Sequence, residues 1–321
     1  MKDLFDRDIE YMRISITDRC NLRCRYCMPA EGIEKVSMSR ILTYEEILRI
    51  CRQAVVLGIT RFKVTGGEPL VRRGCPDLIR AMKEVPGVEQ VTLTTNGQLL
   101  EPYLDELRAA GVDGINVSLD SLREERYAEI TRGGKLQPVL SAIAKAKASG
   151  IPVKVNCLLQ KDLNEDEYLA FAKMAFDQGI LVRFIEIMPV GFGDAEEGMS
   201  NEEVLLLLRE KWPELEPDER VHGNGPAVYM RIPGKEGAVG FISAMHEKFC
   251  DRCNRLRLTS HGRVQPCLCY EDAVDLRPAL ESRSEEKLRQ ALASAVMAKP
   301  AGHCFEDREG PEGKSMVEIG G

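Results

Sequence analysis

Six short runs, MRISIT, RFKVTG, QVTLTT, GINVSL, VKVNCLL and VRFIEIM, alternate with helix-forming stretches between Tyr11 and about Met188. Parallel strands need a crossover connection, usually a helix, so the alternation predicts βα units around a parallel sheet. Thr43 and Glu46 have the spacing of a capping box opening a helix through Leu57, with Gly58 placed to end it. Further helices are expected over 76–84, 101–110, 137–148 and 165–178. Six strands in this order fit a partial (βα)6 barrel of TIM type better than a closed eightfold one.

The pattern changes after Pro189. VGFGDAEEGM, rich in glycine and acid, reads as a linker or lid. Beyond it, Ser200 and Glu203 cap a helix over VLLLLREKW. AVYMRI and AVGFIS flank a PGKEG turn as one hairpin, and RLRLT and RVQPCL flank SHG as another. The expected division is a barrel over 1–189 and a C-terminal domain over 190–321, with a loop-like last stretch.

The chain has 321 residues and a formal net charge of −7, which argues against a general nucleic-acid binder because phosphate neutralisation needs a basic surface. No apolar run reaches the roughly 18 residues that span a bilayer, and no signal-like segment opens the chain, so a cytoplasmic protein is expected. The 11 cysteines, odd in number and without a secretory context, read as reduced thiols and metal ligands rather than a disulfide framework.

Cys20, Cys24 and Cys27 form C-x3-C-x2-C just past the first expected strand. Three cysteines leave one iron of a 4Fe-4S cluster open to an external ligand. Zinc is the rival, and spacing alone does not choose. TGGEP, Thr65 to Pro69, follows the second strand, and its paired glycines allow close backbone approach to a ligand. Cys250, Cys253 and Cys267 read C-x2-C-x13-C; with Cys269 they have the makings of a four-sulfur zinc ribbon, so both metals stay open there. Arg255 and Arg257 alternate along a strand and share a face, suiting either a triphosphate or a solvated edge. Cys51, Cys75, Cys157 and Cys304 read as buried or incidental thiols, and His303 is assigned no role.

These motifs resemble the radical SAM superfamily: Cys20, Cys24, Tyr26 and Cys27 match its C-x3-C-x-aromatic-C signature, and TGGEP its glycine motif for S-adenosylmethionine (SAM). Over essentially the whole chain, DRCNLRCRYCMP, VTGGEPLVR, TTNG, INVSLDSL, FIEIMPVG, FCDRCNRLRLT and the terminal MVEIGG resemble the GTP 3′,8-cyclases of molybdenum cofactor biosynthesis. The resemblance implies a radical SAM partial barrel with a C-terminal cluster-bearing extension. It implies two 4Fe-4S clusters, on Cys20, Cys24, Cys27 and on Cys250, Cys253, Cys267, leaving Cys269 a spare thiol. GTP contacts carry over to Arg13, Lys63, Thr94, Lys154, Arg255, Leu256 and Arg257, and catalytic positions to Arg13, Lys154 and Arg183. Lys63 is a departure, since the family usually has arginine there, and lysine lacks the planar fork. SAM contacts carry over to Tyr26, Gly67, Ser118 and Met188, and Gly320 and Gly321 to a tail inserted into the site. Implied partners are GTP, an external electron donor and the downstream cyclic pyranopterin monophosphate synthase, with a homodimer possible. The other readings are a radical SAM enzyme acting on a peptide or another metabolite, with four ligands on its second cluster, and a zinc-binding non-enzyme.

Overall fold

The computed structural model describes residues 1–33, 37–192, 197–303, 305 and 316–318. All six expected strands form: β1 (Tyr11–Ser15), β2 (Arg61–Thr65), β3 (Gln90–Thr95), β4 (Gly114–Ser118), β5 (Val153–Cys157) and β6 (Leu181–Ile185), paired in parallel and in chain order. Period-two alternation sorts their side chains. Met12, Ile14, Phe62, Val64, Val91, Leu93, Ile115, Val117, Val155, Val182 and Phe184 are buried in the main core. Arg13, Lys63, Thr92, Thr94, Asn116, Lys154 and Arg183 fall between them on the other face, so the barrel interior is polar and largely cationic.

Helices α1 (Tyr44–Val56), α2 (Cys75–Lys83), α3 (Leu100–Ala109), α4 (Glu124–Thr131), α5 (Leu136–Ala148) and α6 (Tyr168–Gln178) fill the crossovers. The expected capping box closes on α1: Glu46 N–H donates to the Thr43 hydroxyl at 3.1 Å and Thr43 N–H to the Glu46 carboxylate at 2.7 Å. Residues 165–167 form a 3-10 turn ahead of α6, so that helix starts later than its composition suggests. Helix α4 was not anticipated; its eight residues, EERYAEIT, carry little apolar periodicity.

Past the barrel come α7 (Asn201–Lys211), with its own Ser200–Glu203 capping box, then β7 (Glu216–Pro217), β8 (Val228–Arg231), β9 (Ala238–Ile242), β10 (Arg255–Leu258), β11 (Arg263–Gln265) and β12 (Val274–Asp275). Both expected hairpins form. Their partners decide the architecture: β9 pairs in parallel with β6 and β10 with β1, giving one sheet in the order β12-β11-β10-β1-β2-β3-β4-β5-β6-β9-β8-β7. The expected division at 189/190 falls just after β6, and the hairpins beyond it widen the barrel at both edges. Leu256, Leu258 and Val264 share the core with Met12 and Phe62. Two unanticipated helices, α8 (Arg277–Glu281) and α9 (Glu285–Met297), follow β12, α9 burying Leu288 and Leu292.

Candidate active site

Strand β1 ends at Ser15, and the loop after it delivers Cys20, Cys24 and Cys27 to a cavity of about 320 Å³. A tight turn brings the last two together, with Cys27 N–H donating to the Cys24 carbonyl at 2.9 Å. Leu22 N–H at 3.4 Å and the Asn96 amide at 3.7 Å point at Cys20 Sγ. Burial, then the neighbouring thiol and carboxylate groups, pushes Cys24 well above the ordinary thiol range and Cys27 up to about 12. Such thiols give up their protons when a cation arrives to compensate them, and metal loading supplies that charge. Among the described residues no three histidine, cysteine or acidic side chains converge on a single-ion site. Three cysteine sulfurs on one loop facing one cavity are the donor set of a 4Fe-4S cluster with one open iron, so the donor set fits an iron-sulfur cluster.

Tyr26 also lines the cavity, its hydroxyl donating to Asp120 at 2.7 Å. Asp120 accepts Leu158 N–H at 2.9 Å as well, and burial pushes its carboxyl up to about 6.

The glycines of TGGEP are explained by the cysteine loop. A Cβ on Gly67 would sit 2.4 Å from the Arg19 carbonyl oxygen, and one on Gly66 2.7 Å from that of Thr17. Gly67 and Glu68 N–H groups donate to the Thr17 and Arg19 carbonyls, both at 2.8 Å, so this motif is the wall on which the loop is mounted. The Glu68 carboxylate in turn takes Thr95 Oγ1 at 2.8 Å and Asn96 N–H at 2.7 Å, tying the wall to β3. Gly67→Ala must therefore displace backbone rather than a mobile side chain. Its expected result is a loss of about 1–3 kcal/mol of stability and of bound iron, read by denaturant unfolding and by iron content after anaerobic reconstitution.

Cys250, Cys253 and Cys267 line the same cavity from elsewhere. Cys253 precedes the start of β10, whose Arg255 lies opposite Tyr11 at the start of β1, so this triplet sits toward the N-terminal end of the parallel strands and the first at the C-terminal end. Burial raises the Cys253 thiol, but Arg255 and Lys299 outweigh it and bring it to about 7. Cys269, expected as a spare thiol, is instead disulfide-bonded and fully buried, packed with Val190, Leu268 and Phe305. It turns into that apolar cluster rather than to the cavity, which removes it as a fourth ligand.

Between the triplets lie the cations. Arg13 stands opposite Lys63 on one side and Arg257 on the other. Burial lowers the Lys63 pKa well below the ordinary range, and Arg183, Arg13, Lys154 and Arg255 lower it further. Arg13 Nε is buried without a hydrogen-bond partner. Arg183 donates to Asn156 at 2.8 Å and Asn116 at 2.7 Å. Lys154 Nζ donates to the His222 carbonyl, in a loop that also reaches β3 through Asn224 and Gln90 at 2.6 Å, so this loop closes the floor of the barrel. Cations gathered this closely repel one another, so the arrangement favours binding of an anion.

Of the residues named from sequence, Arg13, Tyr26, Gly67, Thr94, Ser118, Met188, Arg255, Arg257 and both triplets line the cavity. Lys63, Lys154 and Arg183 are coupled to it through charge without being among its lining residues. The Leu256 side chain faces away, fully buried in the core, as alternation between two inward arginines requires. Asn96, Asn156, Phe249, Lys299 and His303 also line the cavity and were not anticipated as site residues. Gly320, Gly321 and Cys304 lie outside the described residues.

Residues 14–175 match the Radical SAM superfamily and residues 180–305 match Molybdenum Cofactor Synthesis C. A GTP 3′,8-cyclase of Clostridium perfringens (strain SM101 / Type A) is 41% identical over 323 residues, covering 100% of both chains. The chain belongs to the GTP 3′,8-cyclase family. A family member from Moorella thermoacetica is 43% identical over 325 residues, again covering 100% of both chains. Among solved structures, Streptococcus suis SuiB bound to S-adenosylmethionine superposes with a TM-score of 0.66 at 14% identity, covering 97% of this chain and 77% of that one, a likeness of fold. As a radical SAM member this GTP 3′,8-cyclase uses SAM with a 4Fe-4S cluster in molybdenum cofactor biosynthesis. No helix among the described residues is long and apolar enough to cross a membrane.

Proposed function

We propose that the cavity converts GTP to (8S)-3′,8-cyclo-7,8-dihydroguanosine 5′-triphosphate, with the first 4Fe-4S cluster on Cys20, Cys24 and Cys27 and a second on Cys250, Cys253 and Cys267. The observation that carries this reading is the placement of two cysteine triplets toward opposite ends of one barrel, on one cavity, with a row of cations between them. When bound, the first cluster and SAM supply the 5′-deoxyadenosyl radical that takes the ribose 3′ hydrogen. The chain's residues do the rest. Tyr26, Gly67, Ser118 and Met188 surround the SAM side, Tyr26 held by Asp120. Arg13, Arg255 and Arg257, backed by Lys63, Lys154 and Arg183, neutralise the triphosphate and fix the nucleotide. The apolar walls, Leu158, Ile185, Ile187 and Ile242 among them, exclude water. Met316 N–H donates to the Cys27 carbonyl at 3.3 Å, and Met316 and Val317 line the cavity beside the first triplet.

The test is anaerobic purification with iron and sulfide counting, then incubation with GTP, SAM and a strong reductant. About eight irons per chain and 5′-deoxyadenosine that forms only with GTP are expected. SAM cleavage indifferent to GTP, with no cyclised nucleotide, overturns the reading.

Lys154 gives this site a pH dependence. Burial, and then Arg183, lowers its pKa to about 8, so its charge is present below that value and lost as pH rises through it. Bound triphosphate favours the charged form, so KM for GTP should climb above pH 8 by up to about tenfold per unit. Lys154→Arg, charged throughout, should flatten the climb; a climb unchanged in that variant removes Lys154 from the nucleotide site.

A further inference from the structure

Lys299 follows α9, is 4% exposed, and meets no carboxylate among the described residues. Its Nζ donates to the carbonyls of Arg255 and Pro266, both at 2.8 Å, so it stitches the strand after Cys253 to the segment before Cys267. It also lines the same cavity as Cys250, Cys253 and Cys267. Arg7 makes an instructive contrast. It braces the same region, donating to the carbonyls of Cys250 at 2.7 Å, Pro300 at 2.6 Å and Ala301 at 3.1 Å, but its charge is cancelled by buried Asp3 at 2.6 Å. A buried cation that meets no carboxylate among the described residues needs some other anion, and the cysteine sulfurs that line the same cavity are candidates.

We infer that Lys299 is a positioning residue and the counter-ion of the second cysteine triplet, holding its two segments together and withdrawing charge from the cluster bound there. This rests on the proposed second cluster. Removing a cation beside an iron-sulfur cluster disfavours the reduced, more negative state and lowers its potential. Arg7, neutralised by Asp3, should contribute to assembly without setting the potential.

The experiment isolates the second cluster in a full-length Cys20→Ser/Cys24→Ser/Cys27→Ser chain, reconstituted anaerobically and titrated with dithionite by electron paramagnetic resonance. The parent should hold about four irons. Lys299→Met should reduce about tenfold less favourably, about 59 mV more negative for one electron, while Lys299→Arg stays near the parent. A cluster retained in Lys299→Met at the parent's potential overturns the inference while leaving the second cluster standing. Failure of Lys299→Met to hold iron where Lys299→Arg holds it supports the counter-ion role; failure of both assigns Lys299 to packing alone and overturns it. A parent without iron removes the second cluster and this inference with it.

Discussion

Cys24→Ser should abolish 5′-deoxyadenosine formation, lowering the rate by at least about four orders of magnitude, since enzymatic accelerations commonly start near 10⁶. The residue is half-buried at the centre of its loop, with Cys27 closing the turn on its carbonyl. Losing one of three ligands removes the cluster rather than weakening it, because the open iron already lacks a protein ligand. Iron content should fall by about four per chain, with the remainder on the second triplet. Cys51→Ala is the control: that thiol lies fully buried in α1 and should leave iron and activity in place. Cleavage of SAM by Cys24→Ser at near the parent rate would dismiss the three-cysteine reading of this loop.

Arg13→Met should move affinity and stability in opposite directions. Arg13 is half-buried on β1, with its buried Nε lacking a hydrogen-bond partner and its pKa lowered by desolvation and then by Arg255 and Arg183. Without an anion it is a cost to the fold, so its removal should raise stability by about 1–2 kcal/mol, seen as a higher melting temperature of the ligand-free chain. With GTP present it offers a charge-assisted contact worth about 2–3 kcal/mol, so Kd for GTP should weaken about 30- to 150-fold. A variant that is less stable and binds GTP normally would make Arg13 a structural residue. The opposite signs separate a binding role from a packing one, which a loss of activity alone does not.

Much of the barrel was legible because each strand carries a local signal. RFKVT and QVTLTT alternate in sequence as they do in space, and Thr43–Glu46 and Ser200–Glu203 fix helix starts within four residues of chain. Helix α4 was missed because eight residues give too little periodicity. The glycines of TGGEP were read as making room for a ligand, whereas the backbone they accommodate most tightly is that of Thr17 and Arg19. Leu256 was carried over with its arginine neighbours, yet strand alternation turns its side chain into the core.

What the sequence alone determined is the chemistry on offer: two groups of clustered cysteines, a paired-glycine motif after the second strand, and strands whose alternate positions are cationic. These are properties of spacing over a few residues, where covalent geometry is the only constraint. Only the tertiary structure decided that β10 pairs with β1 and β9 with β6, bringing Arg257 beside Arg13 although 244 positions separate them in the numbering. It alone placed Lys299 between the strand after Cys253 and the segment before Cys267, delivered by a helix whose own sequence carries no mark of the site. Pairings of that range are selected by burial of the shared core, a sum over many distant side chains that no local window of sequence contains.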